Sequence, residues 1–384
     1  MKLAILTRLA GYNMGTTLQA YAISKFVEQI GYPNIVINYN EYAGHWKWKI
    51  KPMINSALLS LMKIFPRFSN VAFPKKFQQL TRSYEQMNNF HQFEKDYIPL
   101  TKRKYNSIKT LSKDFKSLDA CICGSDQIWS PYFFDPVFFL TFITSPQTKK
   151  IAYAPSIGVT DETMISEKQR QLMQNITYIS CREREGAQII KKITQRETPV
   201  VLDPTLMIAP QEWEQLASKS NVGKNQKYIL TYFLHTDYYT NSLPHSYIKK
   251  LKQKTGLPVY NISLFNLVND IQADKQFNTI GPLEFLSLVK HAEWICTNSF
   301  HCCIFSFIFK RHFFVFERFM KNSTNNANQN SRISNLMKLF NLAEAITDPD
   351  SIPQINLLYN FDKGFQNLEI EKEKSIAYLK TALS

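Results

Sequence analysis

Residues 2–37, KLAILTRLAGYNMGTTLQAYAISKFVEQIGYPNIVI, decide the fold. A short apolar strand, Lys2 to Leu6, is followed by a turn with two glycines and then by a segment in which apolar residues recur about every four positions up to Ile30. Gly31 ends that predicted helix, and Ile35 to Ile37 is predicted as the next strand. Strand, glycine-containing turn, helix and strand in this order open a parallel α/β layer.

The same alternation of short apolar strands and helices restarts at Lys227 and continues to a strand at His312 to Phe316. Two α/β domains in tandem are therefore predicted, residues 1–220 and 227–365, with a polar stretch between them. Residues 366–384 are predicted as an amphipathic C-terminal helix that packs back on the first domain.

Basic residues are unevenly distributed along the 384-residue chain, which has 46 Lys and Arg against 31 Asp and Glu and a formal charge of +15. No acidic residue lies between Glu41 and Glu85, whereas eight basic residues do, interleaved with aromatic residues such as Trp46. Such a stretch suits an anionic membrane surface, so residues 45–82 are predicted as a peripheral membrane contact. A basic insertion at about 43–90 that packs on the domain explains the pattern equally well. No nucleic-acid-binding pattern accompanies the charge, so nucleic acid is not expected as a partner.

Composition and cysteine usage narrow the class of protein. Hydrophobic residues at 44% and aromatic residues at 14% exclude a disordered chain. The apolar runs fall short of the roughly 20 residues of a spanning helix, and Leu3 to Leu6 is too short for the core of a signal peptide. The six cysteines lack the spacing of a metal site, so reduced thiols and no bound metal are expected. We expect a cytoplasmic protein, which is peripheral at the inner face of the membrane if residues 45–82 bind lipid and not if they pack on the domain.

Polar residues follow predicted strands at four places, where parallel sheets gather ligands beside helix N-termini. Gly11 to Thr17 is either a tight turn or a ligand-binding loop, and it lacks the complete fingerprints of NAD and ATP sites. Cys123 to Trp129 exposes a carboxylate, a carboxamide and an indole after a strand. A helix N-cap explains this second segment equally well.

The other two segments carry arginine and histidine. Ser180 to Gly186 interleaves two Arg with two Glu, so ion pairs in a helix's first turn compete with anion binding as the explanation. Thr297 to Cys303 places His301 in the first turn of a helix, where it is either an acid or base or a hydrogen-bonded core histidine. Arg332 adds a further cation after a polar loop.

In this order the segments resemble the polysaccharide pyruvyl transferase family over nearly the whole chain. The resemblance rests on eight short motifs: Asn13-x-Gly15-x-x-Leu18-x-Ala20, Phe93 to Leu100, Gly124 to Trp129, Ala154 to Gly158, Ser180-x-Arg182-Glu183, Asp203 to Leu206, Asn298 to His301 and Ser331 to Ile333. It implies a glycosyltransferase-B-like fold with two Rossmann-like domains facing across a cleft. Many members have Arg-Leu-His where this chain has Ser299-Phe300-His301, which removes one phosphate-binding arginine.

The resemblance also implies an activity, the transfer of pyruvyl from phosphoenolpyruvate to a sugar of a surface or capsular polysaccharide, with ketal formation. Phosphoenolpyruvate is then a co-substrate, no other cofactor is needed, and the sugar acceptor is either free or lipid-linked. By the same resemblance His301 is the acid or base, and Asp126 orients the acceptor or serves as its base. The residues assigned to donor binding are Arg182, Arg332, Asn298 and Ser299. The residues assigned to the acceptor or its loop are Asn13, Gly15, Thr16, Ser125, Gln127 and Trp129.

Two other functions stay open from the sequence. A nucleotide-sugar-dependent glycosyltransferase of the same fold would bind UDP or GDP sugars and ignore phosphoenolpyruvate. A non-catalytic protein of polysaccharide assembly would have a closed cleft, or a His301 that is buried and fully hydrogen-bonded.

Overall fold

The computed structural model describes residues 1–9, 11–41, 74–234, 243–264, 271–318 and 330–384, and only the backbone of residues 74–83. Most of the predicted basic insertion at about 43–90, and with it the predicted membrane contact, lies outside the described residues. No helix in these ranges is both long and apolar enough to cross a membrane.

The first sheet is parallel throughout and has the strand order β2-β1-β3-β4-β5. Its strands are β1 (Leu3–Leu6), β2 (Ile35–Val36), β3 (Ala120–Gly124), β4 (Lys149–Tyr153) and β5 (Tyr178–Ile179). Every residue of β1 and β3 is buried, as expected of central strands that are covered by helices on both faces.

The second sheet is also parallel and has the order β10-β9-β6-β7-β8. Its strands are β6 (Ile229–Tyr232), β7 (Val259–Ile262), β8 (Lys275–Phe277), β9 (Trp294–Thr297) and β10 (His312–Val315). In each sheet the chain order reverses at one position, between β1 and β3 and between β6 and β9. Crevices at the carboxyl ends of strands beside such a switch point are where open α/β sheets bind ligands.

Helices cover both sheets and connect their strands. They are α1 (Met14–Gln29), α2 (Pro74–Tyr97), α3 (Ile108–Asp114), α4 (Glu167–Gln174), α5 (Arg184–Thr194), α6 (Pro204–Met207), α7 (Pro210–Ala217), α8 (His245–Thr255), α9 (Pro282–His291), α10 (Phe300–Ile308), α11 (Asn330–Leu339) and α12 (Phe361–Leu383). Two parallel α/β layers confirm the predicted fold class, whereas the domain limits at 220 and 227 stay a prediction.

Helix α1 lies between the two sheets. It begins at Met14 because the side-chain oxygen of Asn13 accepts hydrogen bonds from the N–H groups of Gly15 and Thr16, at 2.9 and 3.3 Å. It packs against α6 and also against α9 and α10 of the second layer. Tyr21 of α1 contacts the Trp213 ring, which in turn contacts Phe305 of α10. The two layers therefore share one continuous apolar core.

Helix α12 crosses back to the first layer, as predicted, although it begins at Phe361 rather than at residue 366. The hydroxyl of Tyr378 donates to the carbonyl oxygen of Ala152 in β4, at 2.9 Å. The N–H of Leu202 donates to the buried hydroxyl of Ser375, at 3.0 Å. These two hydrogen bonds fix the last helix of the chain against the first sheet.

Candidate active site

The two switch points face each other, and the N-termini of α1 and α10 meet there. A Cβ atom added to Gly15 would lie only 2.1 Å from Nδ1 of His301. The close approach of α10 to α1 therefore requires glycine at position 15. The hydroxyl of Ser299 caps α10 by accepting from the N–H of Cys302. Two helix N-termini, each with partial positive charge, thus converge on one point between the domains.

The buried carboxylate of Asp203 connects the groups around this point. Its Oδ2 atom accepts hydrogen bonds from Nη1 of Arg182 at 2.8 Å and from the hydroxyl of Ser125 at 3.1 Å. Nε2 of His301 lies 3.5 Å from the same oxygen. Oδ1 accepts from the N–H and hydroxyl of Thr205, so that Asp203 is also the N-cap of α6. Asp203 is not among the site residues predicted from the sequence, where it occurs only in the Asp203 to Leu206 motif.

The protonation state of Asp203 follows from these neighbours. Burial raises the pKa of its carboxyl, but His301, Arg182 and the Thr205 hydroxyl outweigh burial and hold the pKa far below its usual value. Asp203 is therefore an anion at every physiological pH. It faces Nε2 of His301 from 3.5 Å, an ion-pair distance, and is placed to orient the imidazole.

Asp126, a predicted site residue, lies on the first-domain side of the same point. Its Oδ2 atom accepts from the hydroxyl of Thr16 at 2.7 Å, and its backbone has a φ of +73°, in the left-handed region. Burial raises the pKa of Asp126, but Arg8, Arg182 and His301 outweigh burial and lower it. A carboxylate with a lowered pKa is a weak base, which favours a role in orienting a hydroxyl group over one in removing its proton.

A cavity of about 330 Å³ opens beside this centre and carries the arginines. Arg182 and Arg332 line it together with Phe300, whose ring lies 4.5 Å from the Arg182 guanidinium carbon and packs edge-on against the ring of His301. Burial, Arg182 and Arg318 lower the pKa of Arg332 to about 9. Burial is the largest of these causes, and the like charges of Arg182 and Arg318 are partly offset by Glu183 and Asp126. An anion bound beside Arg332 would favour its charged form.

Glu183, which also lines the cavity, has a structural task. Its Oε1 atom accepts hydrogen bonds from the hydroxyl of Ser156 and from the N–H groups of Ile157 and Gly158. It also precedes the first residue of α5. Glu183 is thus held mainly by the 156–158 loop, with its Oε2 atom 3.9 Å from Nε of Arg182, while Arg182 both pairs with Asp203 and lines the cavity.

Two of the residues that were predicted to bind the acceptor are buried where they cannot contact an acceptor. Trp129 is fully buried, stacks on Phe139, and donates its indole N–H to the carbonyl oxygen of Phe138. Ser125 is also fully buried and gives its hydroxyl to Asp203. The prediction that these two residues bind the acceptor is wrong, because the indole N–H of Trp129 is used in the core and the hydroxyl of Ser125 is used by Asp203.

The other predicted residues surround the centre. Asn298 is buried, accepts from the N–H of Leu234 at 2.7 Å, and so fixes the turn between β9 and α10. Ser299 is the α10 cap, and Asn13 the α1 cap. Gln127 is half-buried beside Asp126, to whose Oδ1 atom its N–H donates. Ligand contacts through these residues stay a prediction.

Comparison with known proteins agrees with this architecture. Residues 13–318 match the family model described as polysaccharide pyruvyl transferase. A search of curated proteins found no match.

Among solved structures, UDP-GlcNAc 2-epimerase from Methanocaldococcus jannaschii is similar with a TM-score of 0.51 and 15% identity, covering 96% of this chain and 99% of that one. A glycosyltransferase from Rickettsia africae has a TM-score of 0.45 and 11% identity, covering 100% of this chain and 99% of that one. At such low identity the similarity to the epimerase shows the fold alone: two Rossmann-like domains of the glycosyltransferase-B type.

The contact between Gly15 and His301 gives a first testable prediction. Gly15→Ala is expected to lower the free energy of unfolding by about 1–3 kcal/mol, because its methyl group overlaps the imidazole. In a His301→Ala background the nearest overlapping ring atoms are gone, and the loss should shrink by more than half. Urea unfolding of the four proteins of this double-mutant cycle measures both effects. An equal loss in both backgrounds would contradict the contact.

Proposed function

The chain belongs to the polysaccharide pyruvyl transferase family, and we propose that it transfers pyruvyl from phosphoenolpyruvate to two hydroxyl groups of one sugar, forming a cyclic ketal on a surface or capsular polysaccharide. The observation that carries this proposal is the arginine-lined cavity, whose wall includes Phe300 and Asp203, the two side chains that adjoin His301. Phosphoenolpyruvate has a phosphate and a carboxylate, and the guanidinium groups of Arg182 and Arg332 are suited to bind such groups through paired hydrogen bonds.

The electrostatics of the cavity support an anionic donor. The lowered pKa of Arg332 indicates that its charge is unfavourable in the site without ligand, first because the guanidinium is buried and second because Arg182 and Arg318 carry the same charge. A phosphate group beside Arg332 would offset that repulsion, and the N-terminus of α10 would add a further favourable interaction.

The reaction needs one proton donor and two proton acceptors. An acid protonates C3 of the enol, and the first sugar hydroxyl adds to the cationic C2 while losing its proton to a base. The C2–O bond to phosphate then breaks, phosphate leaves with the bonding electron pair, and the second hydroxyl adds to C2 and releases its proton. The products are the ketal and inorganic phosphate, so neither an oxidant nor a reductant is required.

His301 suits the proton transfers in this scheme. Asp203 faces Nε2 of the ring from 3.5 Å, and Gly15 leaves the space that the ring occupies. An imidazole beside a permanent carboxylate can give a proton in one step and take one in the next. Asp126, held by Thr16, is the group that we assign to orienting an acceptor hydroxyl.

The two arginines give a prediction that separates binding from stability. Arg332→Gln is expected to leave the melting temperature unchanged or raise it, because it removes a charge that folding disfavours. Arg182→Gln should lower the melting temperature, because it leaves the carboxylate of Asp203 buried without its cation. Both variants should raise the KM for phosphoenolpyruvate about tenfold or more. Thermal unfolding and phosphate release measure the two effects, with Arg103→Gln as a control. A destabilised Arg332→Gln with normal KM would contradict the assignment.

The activity itself is tested by incubating the protein with phosphoenolpyruvate and a panel of free, nucleotide-linked and lipid-linked sugars. We expect phosphate release that depends on the sugar, and a product heavier than the acceptor by one pyruvate less one water. His301→Ala should abolish both, whereas His91→Ala, at an exposed histidine, should not. Transfer from UDP or GDP sugars without phosphate release from phosphoenolpyruvate would indicate a glycosyltransferase instead, and no turnover at all would indicate a non-catalytic protein.

For the membrane we propose that residues 45–82 bring the enzyme to a lipid-linked acceptor at the inner face of the bilayer. Deleting Trp46 to Phe65 removes four lysines and should weaken sedimentation with anionic vesicles, each basic residue contributing about 1 kcal/mol. Neutral vesicles are the control, because the charge interaction is absent there. Binding to anionic vesicles that survives the deletion unchanged would favour the packed insertion.

A further inference from the structure

Two aromatic side chains stand in solvent just after the segment that carries Asp126. Tyr132 and Phe133, in the short 3₁₀ turn Pro131–Phe133, are 46% and 50% exposed, although the neighbouring aromatic residues Trp129 and Phe138 are buried. A single exposed aromatic side chain is ordinary and needs no explanation. What distinguishes Phe133 is the polar group that holds it.

Arg8 fixes the ring of Phe133. The guanidinium carbon of Arg8 lies 5.1 Å from the centre of that ring and 5.8 Å from the ring of Phe138. Its Nε and Nη2 atoms both donate to one carboxylate oxygen of Glu41, at 3.1 and 2.8 Å, and the arginine side chain is only 10% exposed. Half of the Phe133 surface nevertheless remains exposed to solvent, while Arg8, itself bound to Glu41, supports the ring.

The Phe133 ring is connected to the proposed reaction centre through Arg8. Arg8 follows β1 and Asp126 follows β3, the two strands of the first switch point, and the charge of Arg8 acts on Asp126. The donor cavity, in contrast, is lined by residues that follow β5 and β9 and by α11 and α12. A two-substrate reaction needs a second place for the acceptor, and Asp126 interacts both with Arg8, which contacts Phe133, and with Arg182, which lines the cavity.

Phe133 has the chemistry that recognises a sugar ring. The face of an aromatic ring carries negative electrostatic potential, and a pyranose presents several C–H groups on one face while its hydroxyl groups point outward. A carboxylate near the edge of the platform can then accept a hydroxyl hydrogen bond. We propose that Phe133, supported by Arg8, is the platform on which the acceptor hexopyranose stacks, with its hydroxyl groups directed to Asp126; this rests on the proposed function.

Tyr132 provides a matched control within the same turn. Its exposure is nearly that of Phe133, but its hydroxyl lies 3.9 Å from Sδ of Met164, which places the Tyr132 side chain against a different loop. A non-specific effect of removing an exposed aromatic group should be the same at both positions. An effect of losing the sugar platform should occur only at Phe133.

The experiment measures sugar binding without phosphoenolpyruvate. Saturation-transfer NMR is recorded with the methyl glycosides of galactose, glucose, mannose and N-acetylglucosamine. We expect the wild type to bind at least one of them through the C–H groups of one ring face. Phe133→Ala should raise the Kd about fivefold or more, the scale of an aromatic contact, whereas Phe133→Trp and Tyr132→Ala should bind as the wild type does.

Three results would overturn the platform: wild-type binding by Phe133→Ala, equal weakening by Tyr132→Ala, or no binding of any of these sugars by the wild type. The phosphate-release assay keeps this test separate from that of the proposed function. Sugar binding that depends on Phe133 without phosphate release refutes pyruvyl transfer and retains the platform. Phosphate release with an acceptor KM that Phe133→Ala leaves unchanged refutes the platform alone.

Discussion

The carboxylate of Asp203 is the group on which the arrangement of the site depends. It accepts from Ser125 after β3, from Arg182 after β5 and from the first turn of α6, and it faces His301 across the domain boundary. A buried carboxylate is strongly unfavourable unless its oxygens are hydrogen-bonded and its charge is paired. Burial of this carboxylate is therefore tolerated only when these segments come together, and folding of the first domain positions the group that faces the imidazole of the second.

The apolar core fixes the same relation between the domains. Helix α1 is covered by its own sheet on one side and by α9 and α10 on the other, and Trp213 connects Tyr21 to Phe305 through ring contacts. A shared core of this kind resists separation of the domains, because opening it would expose the aromatic groups to water. The ring of His301 packs so closely against Gly15 that a methyl group on residue 15 would overlap it.

The parallel layers and several site residues could be predicted from the sequence, and each feature that could not be predicted has a physical reason. Apolar strands that alternate with periodic helices gave the parallel layers, and polar residues after the strands pointed to Asp126, Arg182 and His301. The edge strand β8, Lys275–Phe277, has two exposed residues and carries no such pattern. Ser125 and Trp129 were misassigned because the residue types that bind ligands also cap helices and fill cores. Asp203 was missed as a site residue because its Asp-Pro-Thr sequence is explained fully by an N-cap.

The Ser-Phe-His sequence at 299–301 can be understood from the contacts of its members. Many relatives are expected to have arginine at position 299, but here Ser299 caps α10 and Phe300 lies against the guanidinium of Arg182. A cation lost at the helix start need not lower the potential of the cavity if other cations face it. Arg182 and Arg318 add to burial in lowering the pKa of Arg332, and the N-terminal dipole of α10 remains. Arg182, Arg332 and the N-terminus of α10 thus supply positive charge at the cavity without an arginine at position 299.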